Sequence, residues 1–374
     1  MKIFQIHNNY KYFGGEDSVV EEEAKLLKSK KHKVYQIFRN NNEELNTFSK
    51  KLIAFKNITY SDKSIKILEK KINKFGVPDI AHIHNFFPLW SYSIFKFLNE
   101  KKIPIILTLH NYRLIYDKIN FLNDEIRNFG LYKNSLLYTF LISKLLTINK
   151  KYLKFVDKFI THTEFTKKIF IKYGIPKNKI FINPNFIHKS NNLKKKIENK
   201  TNALYASRVS KEKGILTLLD AWRNLDLKLD IVGDGPLLKK INKNLPNLNF
   251  FGNISRKKVK NFINNSKFII IPSEWYESFP MTILEAFNEN TLVLASNIGS
   301  IKSIIIHKKN GILFNPRDKI DLLDKINWIQ RNSVKCNQIT SRAKKEFNIK
   351  YSPEKNYFNL LKIYNEAIKS KKKN

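Results

Sequence analysis

Short apolar runs of strand length alternate with amphipathic stretches from the first residue to about Pro316. That alternation constrains the chain more than any other feature, because it is the pattern of βαβ units around largely parallel sheets. It falls into two blocks. In the first, strands are expected near Lys2–Ile6, Lys33–Phe38, Asp79–His84, Ile103–His110, Lys158–Thr163 and Ile180–Ile182, with helices near Glu16–Ser29, Ser91–Asn99 and Glu164–Tyr173. A polar, basic stretch from His188 to Asn202 reads as a linker. The second block places strands near Ala203–Ala206, Lys228–Val232, Asn249–Phe251, Phe268–Ile271 and Leu292–Ala295, each followed by a helical pattern. Beyond Pro316 the periodicity is helical and ends in Pro353–Lys369 and a Lys-rich tail. The expected organisation is an α/β chain with a Rossmann-like domain over 1–187, a linker over 188–202, a second Rossmann-like domain over 203–350 and a C-terminal helix over 351–374. Two doubly wound domains facing each other across a cleft would bind ligands there, at the C-terminal edges of their sheets.

A length of 374 residues suits two domains, and 42% hydrophobic content is enough for two cores, which excludes a disordered chain. Lys and Arg number 69 against 32 acids, a net charge of +37 that attracts anions. The chain is crowded with Lys, Asn and Ile throughout, so the excess reflects composition as much as binding, and no nucleic-acid partner is expected. The single cysteine, Cys336, cannot form an intramolecular disulfide. The N-terminus turns polar before an apolar region of secretory length develops, so it reads as a first strand. The longest apolar stretch, Leu136–Leu146, contains Ser143 and Lys144 and is short of the ~20 residues of a spanning helix. A cytoplasmic location is expected. Leu131–Lys144, followed by Lys150, Lys151 and Lys154, mixes aromatics with lysines as interfacial helices do, so it is either a contact with an anionic membrane surface or a helix packed on its own domain.

The most informative stretch runs from Pro272 to Phe287, after an apolar strand. Pro280 can start a helix there, since its missing N–H would be unpaired in the first turn. Glu277 then sits in the loop and Glu285 inside the helix. The backbone around Phe279, Pro280, Met281 and Thr282 offers free N–H groups to a phosphate, as helix N-termini do. Glu285 could accept two hydrogen bonds from a ribose diol; the alternative is a solvent-facing helix acid. In Ala206–Gly214, Arg208 and Lys213 lie on one strand-to-helix connection and can converge on one anion such as a pyrophosphate. Alternatively they are two more basic residues in a basic chain. Gly14 and Gly15 occupy the first strand-to-helix turn, where paired glycines permit close backbone approach, without the G-x-G-x-x-G spacing. Glu16 and Asp17 complement the helix dipole, and Glu21, Glu22 and Glu23 read as a solvated face. His110 ends a buried-type strand, either projecting into the cleft or satisfied by the backbone. His82 and His84 alternate in an earlier strand, but no third ligand has metal-site spacing, so both read as structural. With no Asp-x-Asp motif either, no metal is expected.

These motifs together resemble the GT-B glycosyltransferases of family 4. The resemblance runs from Gly14–Gly15 through His82-Ile83-His84-Asn85-Phe86-Phe87-Pro88, Leu109-His110-Asn111-Tyr112-Arg113, Ser207–Gly214 and Val232-Gly233-Asp234-Gly235-Pro236 to Ser273–Phe287. It implies a retaining, metal-independent enzyme that moves a sugar from a nucleoside diphosphate sugar to a glycan or lipid-linked acceptor in bacterial surface polysaccharide synthesis. By the same resemblance Glu277 lies beside the donor sugar, Glu285 on the nucleotide ribose, Arg208 and Lys213 on the diphosphate and His110 near the transferred sugar. Gly14 and Gly15 are implied near the phosphates, and the last helix is implied to return to the N-terminal domain. Asn111 and Ser278 depart from the residues common in relatives, Asp and Gly, which leaves sugar and acceptor identity open. The alternatives are a non-catalytic polyanion- or membrane-binding scaffold, a nucleotide-sugar epimerase or a phosphorylase. Intact Arg208, Lys213, Glu277 and Glu285 weigh against the scaffold.

Overall fold

The computed structural model describes residues 1–10, 14–47, 49–50, 53–54, 57, 59–118, 150–189, 200–223, 225–241 and 246–373. Tyr12, Phe13, the segment Leu131–Lys144 and most of the expected linker lie outside the described residues. The chain forms two compact units, one of residues up to Asn185 together with Pro353 onward, the other containing Phe186–Ser352.

The first unit is built on β1 (Lys2–Asn9), β2 (Lys33–Asn40), β3 (Ile80–Ile83), β4 (Ile105–Thr108), β5 (Lys158–Thr161) and β6 (Ile180–Ile182). All pair in parallel, in the order β2-β1-β3-β4-β5-β6. β3 and β4 are buried at every residue, which is why neither alternates apolar with exposed polar residues; β4 is Ile-Ile-Leu-Thr and β3 buries His82 among its apolar neighbours. Around the sheet stand α1 (Gly15–Ser29), α2 (Asp62–Phe75), α3 (Ser93–Glu100) and α4 (Glu164–Lys172). α2 was not legible in the sequence. It does carry an apolar stripe, Ile65, Leu68, Ile72 and Phe75, but only Ser64 and Leu68 are buried, and the stripe is interleaved with lysines in a basic chain.

The second unit carries β7 (Ala203–Ala206), β8 (Leu229–Val232), β9 (Leu248–Gly252), β10 (Phe268–Ile271), β11 (Leu292–Ser296) and β12 (Ile312–Phe314) in the order β12-β11-β10-β7-β8-β9. This is the doubly wound dinucleotide-type order, with its reversal between β7 and β10. α5 (Ile215–Trp222), α6 (Arg256–Asn265), α7 (Met281–Asn288), α8 (Lys319–Arg331) and α9 (Ser333–Lys350) cover it. Two apolar layers result, one around Tyr205, Trp222 and Phe314, the other around Phe268's neighbour Ile269, Phe287 and Phe347. α7 begins at Met281, one residue later than expected, because Pro280 takes the extended N-cap position.

The last helix, α10 (Pro353–Lys373), belongs to the first unit. Its Leu360, Ile363, Tyr364 and Ala367 pack with Ile3, Ala24, Leu27, Ile80 and Ile106. At about 1.5–3 kcal/mol for each large side chain removed from water, that face is enough to hold it there.

Candidate functional site

At the reversal in the second sheet the connections leaving β7 and β10 diverge, and they hold Ser207–Gly214 and Pro272–Pro280. Glycines let these loops nest. Gly214 has φ +71°, and a β-carbon placed on it would stand 1.7 Å from the Pro272 carbonyl oxygen. One on Gly233, at φ +134°, would lie 2.0 Å from the Ser207 carbonyl oxygen. The Glu274 N–H donates to the Glu212 carbonyl at 2.9 Å, while the Glu274 carboxylate accepts from Thr217 Oγ1 at 2.7 Å and from Arg317 Nε at 3.3 Å. The two loops are therefore tied together before any ligand arrives.

That tie brings Lys213 Nζ to 2.8 Å from Glu277 Oε2, with both side chains largely buried. The Ser273 hydroxyl donates to the other carboxylate oxygen, and the Lys213 ammonium lies 5.4 Å from the centre of the Trp275 ring. Arg208 is exposed on the same connection and makes no ion pair among the described residues; its carbonyl accepts the Tyr205 O–H at 2.7 Å. Met281 and Thr282 supply first-turn N–H groups, which a helix cannot pair within itself. Phe279 and Pro280 are buried, Phe279 with its ring 6.2 Å from that of Tyr351. Glu285 sits farther along α7; burial raises its carboxyl above the ordinary range, with Arg256 pulling the other way. Lys213 and Glu277 are thus brought together by the two loops, with Arg208 on the first of them and Glu285 inside the helix that follows the second.

In the first unit, Gly14 is extended, at φ −128°, and is the N-cap of α1, so this turn does not demand a left-handed glycine. Its N–H donates to Asp17 Oδ2 at 2.8 Å. Asp17 does more than complement the dipole. It is buried and also meets His7 Nε2 at 2.9 Å and the Tyr10 N–H at 3.2 Å.

The expected solvated face is corrected at Glu23, which is buried. It stands four residues after Val19 and four before Leu27, on the stripe of α1 that faces the sheet. Its Oε1 lies 3.0 Å from His82 Nδ1 and 3.1 Å from His84 Nε2. Burial would raise the Glu23 carboxyl, but the two imidazoles outweigh it and hold it well below the carboxylate range. His110 is tied to other histidines. Its Nε2 lies 3.0 Å from His84 Nδ1 and its Nδ1 3.3 Å from His162 Nε2. His84, Asn85, Phe87, His110, Asn111 and Arg113 line a cavity of about 30 Å³.

His162 and Glu23 were missed in the sequence. The available signal was positional: β1, β3, β4 and β5 are neighbours in parallel register, and His84, His110 and His162 fall just past the C-terminal ends of their strands, with His7 two residues before the end of β1.

Comparison with known proteins gives the family. The family described as Glycosyltransferase Family 4 matches residues 13–191, and Glycosyl transferases group 1 matches residues 187–346. An uncharacterized glycosyltransferase of Methanocaldococcus jannaschii is 26% identical over 98% of this chain and 98% of its own. A lipopolysaccharide 1,2-N-acetylglucosaminetransferase of Salmonella typhimurium is 29% identical over 46% of this chain and 49% of its own. Among solved structures, Anabaena HepE in complex with UDP superposes with a TM-score of 0.70 at 16% identity, covering 97% of this chain and 99% of that one. The two matched regions adjoin and together span both units, so the chain belongs to glycosyltransferase family 4 and is a glycosyltransferase of the GT-B fold.

Proposed function

We propose that the chain transfers a sugar from a nucleoside diphosphate sugar to a glycan or lipid-linked acceptor with retention of configuration and without a metal, in bacterial surface polysaccharide synthesis. The observation that carries this reading is the Lys213–Glu277 pair held at 2.8 Å beside the start of α7. Departure of the diphosphate builds negative charge, and cations fixed in advance stabilise that charge without rearrangement. Lys213 and Arg208 serve the phosphates together with the N–H groups of Met281 and Thr282. Glu277 orients the donor sugar and Glu285 accepts from the ribose diol, while His110 and the turn at Gly14 and Gly15 belong to the acceptor-side unit. HepE was solved with UDP, which makes UDP-sugars the first donors to test, and the Salmonella relative supports a lipopolysaccharide-type acceptor.

The deciding experiment is a thermal-shift panel of nucleotide sugars followed by NMR of the product's anomeric centre. A ligand at ~100 times its dissociation constant adds ~2.7 kcal/mol of stability. Stabilisation by at least one nucleotide sugar, and a product anomer matching the donor, are expected; an inverted anomer overturns the retaining mechanism. Transfer is expected to keep at least half its rate in excess chelator, whereas full inhibition reversed by Mn²⁺ would assign the diphosphate to a metal.

Glu285→Ala is expected to weaken nucleoside diphosphate binding by about 1.5–3 kcal/mol, the range for hydrogen bonds to a charged group. Unchanged affinity by calorimetry would leave Glu285 a residue of α7 and nothing more. Among the described residues no helix is long and apolar enough to cross a membrane. Work at the cytoplasmic face, with Leu131–Lys144 touching anionic lipid, accordingly predicts co-sedimentation with anionic vesicles at low salt and release at high salt.

A further inference from the structure

Four neighbouring strands of the first unit present a row of imidazoles, and the hydrogen bonds along it can be counted. His162 Nδ1 lies 2.9 Å from the Asn183 carbonyl oxygen, so it must carry a hydrogen. If His162 is neutral, its Nε2 is then an acceptor and His110 Nδ1 must donate across the 3.3 Å link. His110 Nε2 is in turn an acceptor, and His84 Nδ1 donates across 3.0 Å. A neutral His84 is left with a lone pair on Nε2, aimed at a carboxylate oxygen of Glu23 only 3.1 Å away. Four links have to be filled, and three neutral imidazoles bring three ring hydrogens.

The neighbouring groups do not supply the fourth. Gln5 Nε2 is 3.3 Å from both Glu23 Oε1 and His84 Nε2, but one of its hydrogens serves the Val20 carbonyl at 3.1 Å. Its second hydrogen can serve either His84 Nε2 or Glu23 Oε1, which still leaves the 3.1 Å contact between those two atoms with no hydrogen in it. His82 is satisfied separately, with Nδ1 toward Glu23 and the Tyr364 hydroxyl and Nε2 2.7 Å from Thr108 Oγ1.

We propose that the row His162–His110–His84 carries one proton more than its neutral form, paired with the Glu23 carboxylate, and that Glu23 and His84 are positioning residues acting through His110. With that proton every link is filled whether the charge sits on His84, His110 or His162. One hop across the 3.0 Å bond, breaking N–H on His84 Nδ1 and forming it on His110 Nε2, moves the charge from beside Glu23 to the strand end lining the cavity. Nothing is oxidised or lost. Two ring hydrogen bonds also fix the His110 plane.

Burial, joined at His84 and His110 by the neighbouring imidazoles, holds His84, His110 and His162 below the ordinary histidine range. Glu23 pulls His84 and His162 back toward that range without restoring it, so what favours the extra proton is the 3.1 Å link itself, where a lone pair would otherwise face a carboxylate. The remaining titratable groups facing the row are His7 with its partner Asp17, His82, and Tyr364 of α10. Glu23, His82 and His84 also bring three ligand atoms within 4.8 Å of one another, a set that could hold a metal ion in place of the proton, and ligand atoms around a metal stand at similar separations.

The test is ¹⁵N-histidine NMR of the whole protein, with the metal content of the same sample measured. In the wild type at pH 7, one imidazolium-type signal is expected from the row; in Glu23→Gln, whose amide donates to His84 Nε2, the row is expected to be neutral. Three neutral imidazoles in the wild type at pH 7 overturn the proposal. So does a stoichiometric metal that is lost with Glu23→Gln, which would assign the cation at this point to the metal. The kinetic arm rests on the transferase reading given above. There, wild-type kcat falls as the row loses its proton, and Glu23→Gln lacks that limb, with a kcat about tenfold lower and donor KM within twofold. Identical pH profiles for the two proteins overturn the positioning role. An imidazolium signal in a protein that transfers no sugar supports the row and refutes the transferase reading instead.

Discussion

Lys213→Ala is expected to lower kcat by about 10²–10³-fold, the loss that follows removal of one preorganised donor to a developing anion. Arg208→Ala is expected to do the same through the same diphosphate, so the double variant should lose less than the product of the two. The structure separates the two residues in the ground state. Arg208 is exposed, so its removal uncovers nothing. Lys213 is the cation 2.8 Å from a largely buried Glu277, which also accepts from the Ser273 hydroxyl, so removing Lys213 takes away the paired cation and, on the proposed reading, leaves a negative charge facing the donor phosphates. Lys213→Ala should therefore raise the donor dissociation constant more than Arg208→Ala does. Adding Glu277→Gln to Lys213→Ala should recover donor binding without recovering kcat, because the repulsion is removed while the leaving group still lacks its cation. Calorimetry with the nucleotide and single-turnover kinetics at saturating donor measure the two effects apart. A Lys213→Ala protein with kcat within threefold of wild type would refute the leaving-group assignment.

The two loops of the second unit could be grouped from the sequence because their residues are local. Arg208 and Lys213 share one connection, and Glu277, Pro280 and Glu285 share another, so no tertiary knowledge was needed to group them. What the sequence did not show is that the two groups touch. The contact between Lys213 and Glu277 depends on the β7–β10 adjacency and on Gly214 passing against Pro272.

The same distinction explains the fold. β7 and β10 were placed to the residue because a strand buried on both faces is an unbroken apolar run. β12 was missed because three residues following Gly311 carry no periodicity. The histidine row lies at the far end of this scale. His84, His110 and His162 come from three strands, Glu23 from α1 and Tyr364 from α10, and nothing in their spacing joins them. Glu23 was misread because it lies in a run of three glutamates, where two have their expected setting and the third has the sheet.

Gly214→Ala is expected to be strongly destabilising. At φ +71° an L-residue costs roughly 1–2 kcal/mol. The added β-carbon would also stand 1.7 Å from the Pro272 carbonyl oxygen and 2.6 Å from its carbonyl carbon, both backbone atoms that no rotamer change can clear. Displacing that loop costs a further ~1–3 kcal/mol, as overpacking does. Together the loss is about 2–5 kcal/mol. Gly252→Ala isolates the first contribution, because its φ is +64° and nothing lies within 4 Å of the added carbon. It should lose only the ~1–2 kcal/mol of the backbone term. Tryptophan fluorescence during urea unfolding reads the right part of the chain, since Trp222, Trp275 and Trp328 lie in the second unit and Trp90 alone in the first. Where Gly214→Ala remains folded, the loop it pushes is the one that carries Glu277 toward Lys213, so transfer should fall by more than the folded fraction does. Equal urea midpoints for the two variants would mean that the β10 loop yields at little cost, and that the Lys213–Glu277 geometry is not held by the glycine beside it.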